Sequence, residues 1–222
     1  MSTHLNRSPR VVSRRTFTGA LAVTPWATGL IGTAHAATAI VGQPAPDFSA
    51  ADTAGKAHKL SDFKGKLVVL EWTNPGCPFV VKHYSGNADG NMQRLQKEFT
   101  AKGVVWLAIN STEPQSGDYL LPAKLGGWMK EKSGTPTATL MDDAGTIGQR
   151  YGAKTTPHMY IINAQGLLVY AGGIDSVPST RVDDIKTATN YIRQGLNEAL
   201  AGKTITLASS RPYGCSVKYK DA

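Results

Sequence analysis

Cysteine is scarce in this chain: its 222 residues include 2, Cys77 and Cys215, set 138 positions apart. With only 5 histidines, scattered along the chain, the sequence lacks the spaced ligand pairs of a zinc site. Long hydrophobic runs are lacking too, since the mildly apolar stretch from Ala20 to Thr33 is too short to span a bilayer comfortably. There is no repeat and no low-complexity linker. Basic residues outnumber acidic ones, 24 against 16, yet the excess is not gathered into long basic runs.

Part of that excess sits at the front. "SRRTFTG" (Ser13 to Gly19) gives paired arginines and a phenylalanine; the apolar run follows, and "AHA" (Ala34 to Ala36) then supplies small residues around a cleavage point. A charged front, a short apolar middle and an A-x-A end describe a secretory leader. The paired arginines resemble the twin-arginine export signal of bacteria. A basic disordered tail would explain the arginines but neither the apolar run nor the A-x-A end. Cleavage after Ala36 removes Arg7, Arg10, Arg14 and Arg15 and no acid, which halves the formal charge of +8. A nucleic-acid partner then loses its compositional support, and no stable membrane anchor is expected. The remainder is long enough for one domain with a substantial core. Both cysteines lie in it, and export brings them to a periplasmic compartment where a disulfide persists.

The mature start is polar and rich in Gly and Pro, with a hairpin expected around Thr53 to Lys56. "LVVLEW" (Leu67 to Trp72) and "VVWLAIN" (Val104 to Asn110) read as short strands buried on both faces. Between them Met92, Leu95 and Phe99 recur at helical spacing, ending at Gly103. "LPAKLGGWMKEKS" reads as a helix weakened by Gly126 and Gly127. "TATLMDD" then reads as a strand, "GTIGQRYGA" as a short helix, and "MYIIN" and "LLVYAGG" as a hairpin turning at Ala164 to Gly166. A last helix is expected over "RVDDIKTATNYIRQGLNEALAG", with Ile185, Ala188, Ile192, Leu196 and Leu200 on one face. This order argues for an α/β fold with a central mixed sheet flanked by helices.

The chemistry-bearing stretch is "EWTNPGCPFVVKHY". Cys77 closes a strand-to-helix turn beside Pro78, and proline is favoured at the first helical position. A helix start lowers a thiol pKa, and the thiolate is the reactive form. Lys82 and His83, one to two turns on, are candidates to add positive charge. The ordinary alternative is an inert, buried cysteine.

Together with "TTPH" (Thr155 to His158), this stretch resembles the thioredoxin-fold redoxins, and more closely the peroxiredoxin-like branch of the alkyl hydroperoxide reductase and thiol-specific antioxidant superfamily. "VGQPAPDF" (Val41 to Phe48) is similar to the N-terminal signature of that group, and "SSRPYGCSVKY" resembles a tail found in the branch. The likeness implies a cis peptide at Pro157, facing Cys77, with the backbone at Thr156 free to pair with an extended substrate strand. There are departures. Three positions after Cys77 stands Val80, so the C-x-x-C of thioredoxins is missing. Three and seven positions before it stand Asn74 and Leu70, where peroxiredoxins place Thr or Ser and Pro. Peroxide activation needs donors to both oxygens; Asn74 and Thr73 are the candidates, and neither Arg150 nor Arg181 can be placed there from sequence. The resemblance therefore implies thiol–disulfide or weak peroxide chemistry.

In the branch the chain resembles, a cysteine recurs in this tail with similar neighbours, which makes Cys215 a candidate resolving residue. Thiolate Cys77 would attack a peroxide or a substrate disulfide, and Cys215 would then displace the product. Geometry requires Cα atoms within about 7 Å. A permanent staple makes the same bond, and closing so long a loop stabilises by roughly 5 kcal/mol in the chain-entropy model. Fastening of Cys215 elsewhere, or to another chain, is the third alternative. A short strand is expected from Ser216 to Tyr219.

Other residues have two readings each. Glu71, six positions before Cys77, is either a proton relay or, more ordinarily, a strand-end carboxylate in solvent. His83 and His158 read as surface or packing residues, and Asp142-Asp143 as a loop. Trp72, Trp106 and Trp128 read as core, with Trp72 a candidate floor for a peptide groove. The whole reads as a leader over 1–36, a redoxin domain over 37–208 and a tail over 209–222. The expected protein is an exported monomer or weak dimer, working on a thiol or disulfide protein partner or a hydroperoxide. No metal or organic cofactor is called for, since a partner thiol protein would supply electrons. The rival reading is a non-catalytic binding module with a permanently closed Cys77–Cys215 bond.

Overall fold

Five strands, each buried along most of its length, form the centre of the molecule, seen here in a computed structural model. The structure describes residues 38–220, with Met1 and Thr3; the expected leader otherwise lies outside the described residues. The central strands are β3, Val68–Trp72, and β4, Val105–Asn110, with β5, Ala138–Met141, β7, His158–Ile162, and β8, Leu168–Gly172. They lie in the order β5-β4-β3-β7-β8. β3, β4 and β5 run parallel, whereas β7 and β8 are antiparallel to their neighbours. Two small pairs complete the sheets. β1, Ser49–Ala51, pairs with β2, Ala57–Lys59, and β6, Thr155–Thr156, pairs with β9, Cys215–Ser216.

The pleat of β3 sorts its side chains between two cores. Val69 faces one side with Trp106, Ala108, Met159 and Ile161. Val68, Leu70 and Trp72 face the other with Leu107, Ile109, Tyr160 and Ile162. The first core is covered by α1, Pro78–Tyr84, α2, Asn91–Ala101, and α5, Tyr191–Leu200. Met92, Leu95 and Phe99 of α2 are fully buried there, as their spacing predicts. The second core is closed by α4, Thr146–Tyr151, through Ile147 and Tyr151. α3, Pro122–Glu131, forms despite its paired glycines. A Cβ on Gly126 would fall 2.9 Å from Thr53 Oγ1, so glycine there permits the hairpin to approach.

Two expectations are corrected. The helix expected from Arg181 is interrupted: a 3-10 turn over Val182–Lys186 is followed by α5, which starts only at Tyr191. Between them the Thr189 carbonyl accepts from Ser176 N–H at 3.1 Å, and Tyr191 N–H donates to the Ile174 carbonyl at 3.0 Å. Asn190 then caps the helix by accepting from Arg193 N–H at 2.9 Å. Asp142 is not an open-loop acid but is 5% exposed. It accepts from Ser111 Oγ at 2.6 Å and from the Gly148 and Ile147 N–H groups at 2.9 and 3.2 Å, tying α4 to the end of β4.

Asp142→Ala leaves those donors unmatched in a buried place. It is expected to lower stability by about 2 kcal/mol, read as a lower urea midpoint with unchanged slope. A loss below about 0.5 kcal/mol would be that of an ordinary surface site and would contradict this role.

Candidate active site

Cys77 occupies the N-cap of α1, with Pro78 beginning the helix. The turn before it is shaped by Asn74, whose carbonyl accepts from Cys77 N–H at 3.0 Å and whose side-chain oxygen accepts from Gly76 N–H at 2.8 Å. Cys77 is not open to solvent as a reactive turn cysteine would suggest; it is 2% exposed. Its thiol lies 2.9 Å from the Thr156 carbonyl oxygen, and the Thr156–Pro157 peptide is cis, as the resemblance implies.

The cover over Cys77 is the tail. Thr156 pairs with Cys215 and Thr155 with Ser216, so the strand expected at Ser216 to Tyr219 lies instead at Cys215–Ser216. The backbone edge expected to be free for a substrate strand is thus filled by the chain's own tail. Close approach at this point requires Gly214. A Cβ there would fall 2.0 Å from the Thr156 oxygen, and its φ of 140° is one that L side chains rarely adopt. Both cysteines are free thiols, Cys77 buried and Cys215 partly exposed.

The two sulfurs have opposite electrostatic settings. Burial pushes the Cys77 thiol up, but hydrogen bonds from the Cys215 thiol, the Thr156 side chain and the Cys215 and Val80 N–H groups outweigh it and hold the thiol below its ordinary value. Burial, together with its own hydrogen bond to Cys77 and the charge there, pushes Cys215 up to about 11.

The tail is fastened on both sides of Cys215. Ser210 Oγ stands 2.7 Å from the Tyr170 hydroxyl and accepts from Gly173 N–H at 3.0 Å. Tyr213 donates to Asp175 Oδ1 at 2.5 Å, lies 3.1 Å from His83 Nε2 and meets Phe79 edge-on at 5.8 Å. Beyond Cys215, Val217 N–H donates to the Lys154 carbonyl at 3.1 Å and Tyr219 to the Ala153 carbonyl at 2.8 Å.

Lys82 and His83 serve this fastening instead of charging the helix start. Lys82 Nζ donates to the Val177 carbonyl at 3.1 Å and stands 3.8 Å from Asp175 Oδ2. Burial, aided by the Lys82 charge, pushes His83 down to about 3, so it is neutral at physiological pH. Neither histidine is on the surface, because His158 is also buried, against Tyr160. Tyr213, Asp175 and Gly214 were not singled out as site residues in the sequence. Only the aromatic and glycine flanking Cys215 hinted at two of them.

Several further sequence candidates are placed differently. Glu71 is no strand-end carboxylate in solvent: it is fully buried and accepts from Trp106 Nε1 and the Tyr84 hydroxyl, each at 2.7 Å, and from Gln96 Nε2 at 3.1 Å. Burial raises its carboxyl above the usual 4.5 against the pull of those donors. Trp72 lies in the core that faces away from Cys77, so it floors no groove there. Asn74 Nδ2 donates to Thr112 Oγ1 at 3.2 Å, and Thr73 is buried. The arginines stand apart: Arg150 donates to the Asp47 carbonyl at 2.7 Å and Arg181 pairs with Asp184 at 3.7 Å. Among the described residues, no cluster of three His, Cys, Asp or Glu side chains could hold a metal ion.

The chain matches the AhpC/TSA family over residues 41–171. The match ends before the tail that carries Cys215. It is 28% identical to the thiol-disulfide oxidoreductase ResA of Geobacillus thermodenitrificans over 126 residues, which is 57% of this chain and 65% of ResA. The chain thus spans just under two thirds of that curated relative. A hypothetical protein of Sinorhizobium meliloti 1021 superposes with a TM-score of 0.72 at 24% identity, covering 83% of this chain and 97% of the other. An uncharacterized conserved protein of Geobacillus kaustophilus gives 0.64 at 26% identity, covering 82% and 94%.

Two measurements test the geometry. Gly214→Ala in a Cys215→Ser background is expected to lift the tail and raise Cys77 alkylation by iodoacetamide at least about tenfold, with circular dichroism unchanged. An unchanged rate would mean the tail is not what seals the thiol. For Glu71, a folded pKa raised above the unfolded one gives a contribution to stability that is full below the unfolded value and lost as pH rises through the folded one. Glu71→Gln cannot ionise, so the variant is expected to gain on wild type in unfolding free energy as pH rises above the ordinary glutamate value of 4.5. A difference that stays constant with pH would refute the upward shift.

Proposed function

This chain belongs to the AhpC/TSA family, and on that premise we propose that it is an exported thiol-dependent redox protein cycling Cys77 and Cys215 between dithiol and disulfide. In this reading residues 1–36 are a twin-arginine-type leader, 37–208 the redoxin domain and 209–222 the tail bearing the second cysteine. The support for export is the leader pattern, which would deliver the pair to a periplasm where a disulfide persists. The observation that carries the redox reading is the pairing of Cys215 with Thr156, the residue whose carbonyl oxygen lies 2.9 Å from the Cys77 sulfur.

Cys77 acts as nucleophile once the tail lifts. Attack on an external disulfide gives a mixed disulfide and releases one thiolate; Cys215 then attacks the Cys77 sulfur, releases the second thiol and leaves the internal disulfide. With a hydroperoxide, Cys77 takes one oxygen as sulfenic acid and releases the alcohol. Cys215 displaces water to give the same bond. Disulfide exchange is the favoured branch, since the Asn74 amide is bonded to Thr112 and Arg150 and Arg181 are engaged elsewhere. Thr73, Asn74 and Pro78 shape the turn, while Thr156 and Pro157 hold the tail.

A second reading has a specific observation in its favour. The tail is fastened from Ser210 to Tyr219 by contacts that do not involve sulfur, which suits a permanent staple. The binding module imagined with it would need the Thr155–Thr156 edge, which the tail fills.

Intact mass and alkylation across graded glutathione and dithiothreitol buffers separate the two. A bond that opens near the glutathione range is expected for the redox protein, and one that resists reduction below about −300 mV belongs to the staple. Oxidised wild type should lose two hydrogens as a monomer, and a disulfide that forms only between two chains would refute the pairing.

A further inference from the structure

A lifted tail vacates more than the Thr156 edge. Tyr213, two positions before Cys215, leaves a socket made by α1 and the segment after β8. Its ring meets Phe79 edge-on with centroids 5.8 Å apart, and the Lys82 ammonium stands 5.6 Å from the ring centre. Its hydroxyl donates to Asp175 Oδ1 at 2.5 Å and lies 3.1 Å from His83 Nε2. We infer, resting on the redox reading of the cysteine pair, that the disulfide attacked by Cys77 belongs to an extended protein segment that takes the tail's place. That segment carries tyrosine two positions before its cysteine and glycine immediately before it.

The socket selects a hydroxyl at the end of a ring. His83 is neutral, and its Nδ1 accepts from the Asn91 side-chain amide at 2.9 Å, so Nε2 carries the proton and offers a donor to the Tyr213 oxygen. Asp175 Oδ1 offers an acceptor to the same oxygen. A hydroxyl satisfies both from one atom, and tyrosine sets one beyond a ring that covers Phe79. Phenylalanine would leave both groups unmatched where His83 is fully buried and Asp175 nearly so.

The register follows from where the incoming sulfur must arrive. Cys215 pairs with Thr156, whose carbonyl oxygen lies 2.9 Å from the Cys77 sulfur. An external cysteine paired likewise brings its own sulfur to that place. The residue before it then stands where Gly214 stands, and a Cβ there would fall 2.0 Å from the Thr156 oxygen. Glycine is required at that position, and the residue before it reaches the socket. Backbone pairing spans only two residues here, so side-chain pockets must supply the selectivity.

The exchange balances. Cys77 thiolate attacks the segment's sulfur and expels that sulfur's former partner as a thiolate. Cys215 then attacks the Cys77 sulfur, closes the internal bond and expels the segment as a second thiolate. The two protons of the protein dithiol pass through solvent to the two leaving thiolates. One external disulfide is reduced and one protein dithiol is oxidised. Tail and segment share one edge and one socket, so the return of Tyr213 both delivers Cys215 and evicts the product.

The test uses the full mature chain carrying Cys215→Ser, in which the mixed disulfide accumulates. Its probes are four acetylated peptides containing Tyr-Gly-Cys, Phe-Gly-Cys, Ala-Gly-Cys or Tyr-Ala-Cys, each with its cysteine joined to thionitrobenzoate. Attack by Cys77 releases coloured thionitrobenzoate, and each rate is divided by that of free cysteine with the same peptide. The docked tail slows all four alike, so the ratios report the edge and socket. Tyr-Gly-Cys is expected to exceed each of the others by about tenfold, the size of one hydrogen bond to a charged group. Phe79→Ala should shrink the advantage of Tyr-Gly-Cys over Ala-Gly-Cys at least about threefold and leave its advantage over Tyr-Ala-Cys unchanged. Equal corrected rates, a Phe-Gly-Cys peptide as fast as Tyr-Gly-Cys, or a Phe79→Ala variant that keeps the parental ratios would overturn the inference while leaving the redox pair intact. No release from any peptide, with Cys77 still alkylated in denaturant, would overturn both.

Discussion

Everything at the candidate site turns on the carbonyl of Thr156. It lies against the Cys77 sulfur from one side, and it is approached so closely by Gly214 from the other that no side chain fits between. The strand pairing of Thr155 and Thr156 with Cys215 and Ser216 follows from that approach. One short backbone edge therefore does two jobs. It limits access to the buried sulfur and delivers a second sulfur from the far end of the chain.

That edge is held in place by unusually polar packing for a buried region. Lys82, His83 and Asp175 are almost wholly buried and meet at Tyr213, while Glu71 is buried beneath Trp106, Tyr84 and Gln96. Such groups stabilise only when satisfied, because each unmatched donor or acceptor forfeits its hydration. The same requirement gives the tail its register. Moving Tyr213 by one residue would strip Asp175 of its shortest hydrogen bond and leave the Lys82 ammonium facing a carboxylate with one fewer donor. Polar specificity and backbone pairing thus fix the same alignment of Cys215.

The mixed sheet was legible because its strands carry their burial openly. Val68 to Trp72 and Val105 to Asn110 have continuous apolar character of the kind that only doubly covered strands afford. The cysteine turn and the cis-proline were legible through the resemblance carried by "EWTNPGCPFVVKHY" and "TTPH". Long-range occupancy was not. Nothing local in "RPYGCSVKY" says that this segment lies on Thr155 and Thr156, since backbone pairing leaves little mark on side-chain identity. The charge of Glu71 argued for solvent because burial of a charge depends on partners such as Trp106, which is distant in sequence. Alternation along β3 separates Glu71 from Trp72, but the turn that follows hides which face Cys77 joins.

In the proposed redox cycle, two opposing effects act on the pair. Docking of the tail in the dithiol state means that closing the bond orders little additional chain, which favours the disulfide. Stabilising the Cys77 thiolate favours the dithiol, and a stabilised reduced form makes the couple more oxidising. A staple needs only the first effect; an inert bond gains nothing from a lowered pKa at one sulfur and a raised pKa at the other. The asymmetry has a use only when the bond breaks with Cys77 as leaving group. The physical expense of directing donors at one buried sulfur is therefore better matched to exchange than to permanence.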